Sequence, residues 1–167
     1  DMTFMKNVFT LLFICLTLSS FAQRGEVRDA EDAHEDGNYD KAFEYLEQAK
    51  SEGVLQDKEK WQVRYYIAKG YAHLGPKKGV GRSFKNLKKA AENFEKSMEI
   101  EKEDEAVEGL KFVRNALVQN AVSDQQKKNF VSAADQLHKS YELGDKKDTI
   151  YLYYAASNLV QDKKYDR

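Results

Sequence analysis

The sequence predicts an all-helical protein built from stacked antiparallel helix pairs, and three observations carry that prediction. The chain of 167 residues contains one Pro and nine Gly, so long stretches run without a helix breaker. There is little strict apolar/polar alternation, the period a half-buried strand requires. A short phrase recurs: Gly37-Asn38-Tyr39-Asp40-Lys41-Ala42 precedes Leu46 and Ala49, and Lys128-Asn129-Phe130-Val131-Ser132-Ala133 precedes Leu137 and Ser140. Between these copies, Leu87 and Ala90 precede Phe94 and Ser97; after them, Lys163-Lys164-Tyr165-Asp166-Arg167 opens the phrase again. An aromatic or Leu, Ala three later, a large apolar residue four beyond and a small one three beyond all fall on one helical face.

The elements follow in order. Val27, Ala30 and Ala33 predict a helix over 24–36, and the first phrase a second over 39–52. Trp61, Ile67, Ala68 and Tyr71 predict a third over 57–74, ended by Gly75. Ser83 caps a fourth over 83–102, and Leu110, Val113, Leu117 and Ala121 lie on a fifth over 105–126. The Phe130 phrase predicts a sixth over 129–143; Leu152, Ala155, Ala156 and Leu159 predict a seventh over 148–162. The phrase positions Tyr39, Leu87, Phe130 and Tyr165 are 48, 43 and 35 residues apart. The last interval is near the 34 of a helix–turn–helix repeat. The linker 75–82 accounts for most of the first excess, and an extension over Glu105–Val113 for part of the second.

These residues resemble the tetratricopeptide repeat family. The match is clearest in "DGNYDKAFEYLEQA" and "KKNFVSAADQLHKS", with Ala30, Ala33, Ile67, Ala68, Tyr71, Gly75, Ala90, Phe94, Leu117, Ala121, Leu152, Ala155, Ala156 and Tyr165 in support. Departures are that Trp61 falls a few residues early, that the usual terminal Pro is absent, and that Asp124 stands where an aromatic is common. The resemblance implies a right-handed α-α superhelix of stacked helix pairs over 23–167, about three and a half repeats. It also implies small residues at Ala42, Ala90 and Ala133, where the helices of a pair meet, and stacking of the units, since one pair cannot bury its apolar face alone. Because the fourth phrase stops before its Ala, the chain is expected to continue beyond Arg167, leaving apolar surface on the last helix at Leu152, Leu159 and Tyr165.

Residues 1–22 stand apart. Lys6 supplies a positive head, "VFTLLFICLTL" an uncharged apolar run, and Ser20-Phe21-Ala22 puts small residues at the two positions a signal peptidase inspects. This reads as a secretory signal cleaved after Ala22, against the alternative of a retained anchor; the run is shorter than the roughly 20 residues a span requires. Cys15, the one cysteine, lies inside it behind the large Ile14, which disfavours lipidation and leaves no thiol in the processed chain. The signal resembles that of Gram-negative secreted or periplasmic proteins, so the periplasm or cell envelope is the expected location, with no membrane insertion after cleavage.

Function classes narrow by chemistry. With 27 basic against 28 acidic side chains, net charge −1, no field draws in nucleic acid. The stretch "GPKKGVGRS" suggests a phosphate cradle, but five residues separate Gly75 from Gly81, Arg82 stands where a Lys is needed, and the preceding segment reads as helix instead of strand. It is read as a turn. Lys77, Lys78 and Arg82 there, with Lys85, Lys88 and Lys89 following, form a candidate anion-binding loop or an ordinary solvated charge run. His34, His73 and His138 lack metal-pair spacing, and no GxSxG or HExxH occurs, so neither a metal site nor catalysis is expected. No cofactor is implied.

The resemblance implies a groove lined by the first helix of each pair, holding a protein or peptide partner. Helix register carries this onto Tyr65, Lys69 and His73, then Asn115, Val118, Val122 and Gln125, then Tyr153 and Ser157. Tyrosines offer contact area with a polar tip; they serve equally as packing between pairs, and both readings stand for Tyr65 and Tyr153. The expected role is a non-catalytic exported scaffold. A regulatory or ligand-sensing module of a longer enzyme or membrane protein is the alternative.

Overall fold

The computed structural model describes residues 24–75, 82–144 and 146–163; residues 1–22, read above as a cleaved signal, and Pro76, Lys77, Lys78 and Tyr165 lie outside them. Every regular element among the described residues is helical, and none is a strand. Helix α1 covers 24–35. Then come α2 (Tyr39–Ser51), a single 3-10 turn at Val54–Gln56, α3 (Glu59–Leu74), α4 (Phe84–Ile100), α5 (Asp104–Gln126), α6 (Phe130–Leu143) and α7 (Ile150–Gln161). Each helix lies within two residues of its predicted bounds; the 3-10 turn is the element the periodicity did not announce.

Local chemistry sets the ends. The Ser83 hydroxyl accepts from the Asn86 N–H at 3.1 Å and caps α4; the Asn38 side chain accepts from the Lys41 N–H at 3.3 Å and caps α2. The recurring phrase begins with one recurring turn. Gly37 (φ 79°) and Lys128 (φ 63°) both adopt the left-handed conformation. The next N–H then reaches back five residues, Asn38 to the Ala33 carbonyl and Asn129 to the Asp124 carbonyl, each at 2.8 Å. This closes the first helix and aims the chain into the second.

Consecutive helices pack in order along the chain, and α3 also touches α5. Three apolar cores result. The first joins α1, α2 and α3 through Val27, Leu46, Val54, Trp61 and Tyr65. The second joins α3, α4 and α5 through Ile67, Leu87, Phe94, Val113 and Leu117. The third joins α5, α6 and α7 through Ala121, Ala133, Leu137 and Ala155. Each core thus unites one antiparallel pair with the first helix of the next, so burial in one unit depends on its neighbour. Ala42, Ala90 and Ala133 are fully buried, as close approach within each pair requires.

Where α3, α4 and α5 meet, the contact is closer still. Phe94, fully buried, lies between the backbones of Gly70 and Gly109; a Cβ at those positions would stand 2.6 and 2.5 Å from its ring. Two helical glycines, costly in propensity, are the space the ring occupies.

Polar links spanning 33 or 34 residues join α1, α3 and α5 to the next odd-numbered helix or to the turn that precedes it. Arg24 donates to Asp57 at 2.8 Å and Arg64 to Glu31 at 3.0 Å, both 33 residues apart. The Tyr71 hydroxyl donates to the Glu105 carbonyl at 3.3 Å and Arg114 pairs with Asp148, both 34 apart. Asp124, polar where the pattern wanted an aromatic, accepts from the Ser132 hydroxyl at 2.6 Å and from Gln136 Nε2 at 2.7 Å, binding α5 to α6.

One expectation is corrected. Leu159 and Leu152 on α7 are half-buried, Leu159 packing against the third core. The apolar surface of α7 consists instead of Ile150, Tyr153, Tyr154 and Val160, between 49 and 67 % exposed. The helix packs Tyr151 and Leu159 against the third core and leaves Tyr153 and Tyr154 outward.

Candidate functional site

A cleft of about 450 Å³ opens where α1, α3 and α5 converge, lined by His34, Tyr71, Leu74, Gly75, Arg82, Glu108, Lys111, Phe112 and Asn115. Its size falls in the range of ligand pockets, roughly 300–1,000 Å³. Packing of successive first helices creates it: α1 supplies His34, the last turn of α3 supplies Tyr71 and Leu74, and the extended first half of α5 supplies Glu108 to Asn115.

Arg82 is held in place. Its Nε donates to the Leu74 carbonyl at 2.6 Å, and its own carbonyl accepts from Asn120 Nδ2 at 2.8 Å. The guanidinium lies over the Phe112 ring, 4.6 Å from the centroid. His34 packs on Tyr71 at 5.8 Å and edge-on to Tyr39 at 5.5 Å. Lys111 pairs with Glu108 one turn away. Burial, and next the Glu105 and Glu108 carboxylates, push the Tyr71 phenol above its ordinary value, so it stays protonated and donates to the Glu105 carbonyl.

The rim formed by α1 and the start of α5 is acidic. Burial, followed by the Glu31 carboxylate, pushes the Glu105 carboxyl up; Arg64 opposes the shift, and Glu103 and Glu35 add to it. Five carboxylates, at Glu31, Glu35, Glu103, Glu105 and Glu108, therefore gather around the ends of α1 and α5.

Of the expected groove residues, Asn115 lines the cleft, and so does Arg82, singled out for the linker. Both candidate surfaces meet in one place. Val118, Val122 and Gln125 continue along the same broad face of α5, with Val122 49 % exposed. On α7, Tyr153 is 67 % exposed and stacks edge-on with Tyr154, and Ser157 is half-buried; neither lines the cleft.

The α3 assignment requires correction. Tyr65 is 1 % exposed and belongs to the first core. Its hydroxyl accepts from Lys69 Nζ at 2.9 Å, and Lys69 also reaches Glu47 of α2 at 3.1 Å. Burial alone would lower the Lys69 ammonium, but the Tyr65 and Glu47 oxygens outweigh it and raise its pKa. His73 stacks on Phe43 of α2, ring centroids 4.8 Å apart. Burial, then the charges of Lys89 and Lys69, push its pKa down to about 4. Tyr65, Lys69 and His73 thus face α2 and α4, and the cleft is met by Tyr71 and Leu74. Two residues along a helix is a rotation of about 200°, which carries the reading from one side of α3 to the other.

Sequence reasoning also missed His34, Glu108, Lys111 and Phe112. One signal was present: Phe112 lies three residues before Asn115, on the same face, and is a large aromatic 37 % exposed. The segment before the "GPKKGVGRS" stretch is helical to Leu74, with Gly75 at φ 64°, so a helix and not a strand leads into it. Among the described residues no helix is long and apolar enough to cross a membrane, and no group of three or more His, Cys, Asp or Glu could hold a metal ion.

No family model, curated protein or solved structure matches the chain.

Proposed function

We propose that this protein is a non-catalytic scaffold of the tetratricopeptide-repeat kind, a right-handed superhelix of stacked pairs. It binds a protein or peptide partner along the face of its first helices and works after export, in the periplasm or cell envelope. The observation that carries the binding role is the cleft between α1, α3 and α5, lined by the side chains of three successive first helices and continued along α5 by Val118 and Val122. Such a surface is assembled before the partner arrives, so an extended segment can dock without reorganising the host. The 33- and 34-residue links from α1, α3 and α5 to the next odd-numbered helix or the turn before it support the repeat architecture, because a near-constant spacing recurs along the chain.

The test is selection of peptides from a random library on the purified protein, followed by titration against wild type and a Phe112→Ala/Asn115→Ala variant. Both residues are exposed, so the variant should fold, which circular dichroism would verify. Selected peptides should bind the variant at least about tenfold more weakly. Equal affinity for both proteins would refute docking in the cleft.

A further inference from the structure

We infer that the cleft selects a segment in which an aromatic side chain is directly flanked by a basic residue; this rests on the peptide-binding reading above. Two features of different character meet at this site. The walls are aromatic and cationic, and the adjoining rim is anionic.

The walls come first. The rings of Tyr71, Phe112 and His34 line the cleft together with the apolar Leu74. Arg82, fastened by its bond to the Leu74 carbonyl, stacks on Phe112 as a planar cation. A guest ring gains edge and stacking contacts with these rings and with the guanidinium; an aliphatic guest gains burial alone. The chemistry therefore favours Trp, Tyr or Phe over Leu of similar bulk.

The rim decides the flank. Glu105 is joined to the cleft through the Tyr71 hydroxyl bound to its carbonyl, and Glu108 lines the cleft itself. Glu31 and Glu35 lie on α1 on either side of His34. Against these and Glu103 stand Arg64, bonded to Glu31, and Lys111, bonded to Glu108. Carboxylates outnumber cations along this edge. A Lys or Arg next to the docked ring would meet that surplus, and a Glu or Asp would be repelled. The Arg82 guanidinium lies over the Phe112 ring and its Nε is bonded to the Leu74 carbonyl, so that charge is already engaged within the wall.

The experiment uses four synthetic peptides, acetylated and amidated, with a central Lys-Trp, Glu-Trp, Lys-Leu or Lys-Ala in an otherwise Gly/Ser sequence. Each is titrated into the 15N-labelled mature chain at low and physiological salt. Lys-Trp should bind at least about fivefold tighter than Glu-Trp at low salt, with the gap narrowing as salt rises. It should bind about tenfold tighter than Lys-Ala and measurably tighter than Lys-Leu. Shifts should centre on Tyr71, Arg82, Phe112 and Asn115. Phe112→Ala should erase the ring preference, and Glu105→Gln should reduce the charge preference while keeping the ring preference. If Glu-Trp binds as well as Lys-Trp, or Lys-Leu as well as Lys-Trp, the inference is overturned while peptide docking survives. If library-selected peptides also leave the cleft resonances unmoved, the underlying reading falls with it.

Discussion

Replacing Gly109 by Ala isolates the closest packing in the molecule. A helix-interior Gly→Ala change should by itself stabilise the chain by about 0.5–1 kcal/mol, through reduced backbone entropy in the unfolded state. Here the new Cβ would stand 2.5 Å from Phe94 Cζ, where ordinary contact begins near 3.4 Å. The ring has nowhere to go. It is fully buried, and on the α3 side a Cβ on Gly70 would likewise stand 2.6 Å from it. Overpacking a filled core costs about 1–3 kcal/mol, so the clash should exceed the propensity gain and Gly109→Ala should lose roughly 1–2 kcal/mol. Urea unfolding followed by circular dichroism would read this as a lower midpoint at unchanged slope, with a melting temperature lower by about 3–8 °C. Phe94→Leu should cost less in the Gly109→Ala background than in wild type, because the smaller side chain relieves the clash it shares with the methyl. A variant with a midpoint equal to or above wild type would show that Phe94 does not set the glycine, and the account of the α3–α4–α5 junction would fail.

Two further outcomes are expected. His73, with its pKa pushed down to about 4 against 6.5 unfolded, is held neutral by burial and neighbouring lysines. Its folded pKa is the lower one, so the unfolded chain takes up the proton first, and the contribution present above pH 6.5 is lost as pH falls toward 4. The full shift corresponds to about 2 kcal/mol between pH 7 and 5, reduced to about 1 by partial exposure. The wild-type urea midpoint should therefore fall more over that interval than that of His73→Gln, and parallel curves would contradict it. Ser83→Ala should cost about 1 kcal/mol by leaving the Asn86 N–H without its cap acceptor; a thermal melt unchanged within error would mean the cap contributes nothing.

Much of the fold was legible because helices announce themselves locally. Apolar spacing placed seven helices, Ser83 marked a start, and the recurring Asn-Tyr/Asn-Phe phrase falls at the turn that Gly37 and Lys128 make. The small Ala42, Ala90 and Ala133 identified the close contacts. The candidate site was legible only in part. Asn115 and Arg82 were singled out for different reasons and from different segments, and nothing in one dimension said that they share a cleft. The α3 assignment failed because a two-residue error in register moves a side chain to the opposite face of the helix.

What the sequence determined by itself was therefore the set of helices and their order, since hydrogen bonding within four residues and one apolar face per helix are properties of short windows. What only the tertiary structure decided was which faces look at one another. The extension of α5 slid Glu105 alongside Tyr71 and Gly109 against Phe94, and turned Phe112 under Arg82. Those relations depend on rotation and offset between helices whose contacting residues are 15 to 34 positions apart, and packing complementarity among many side chains at once selects them.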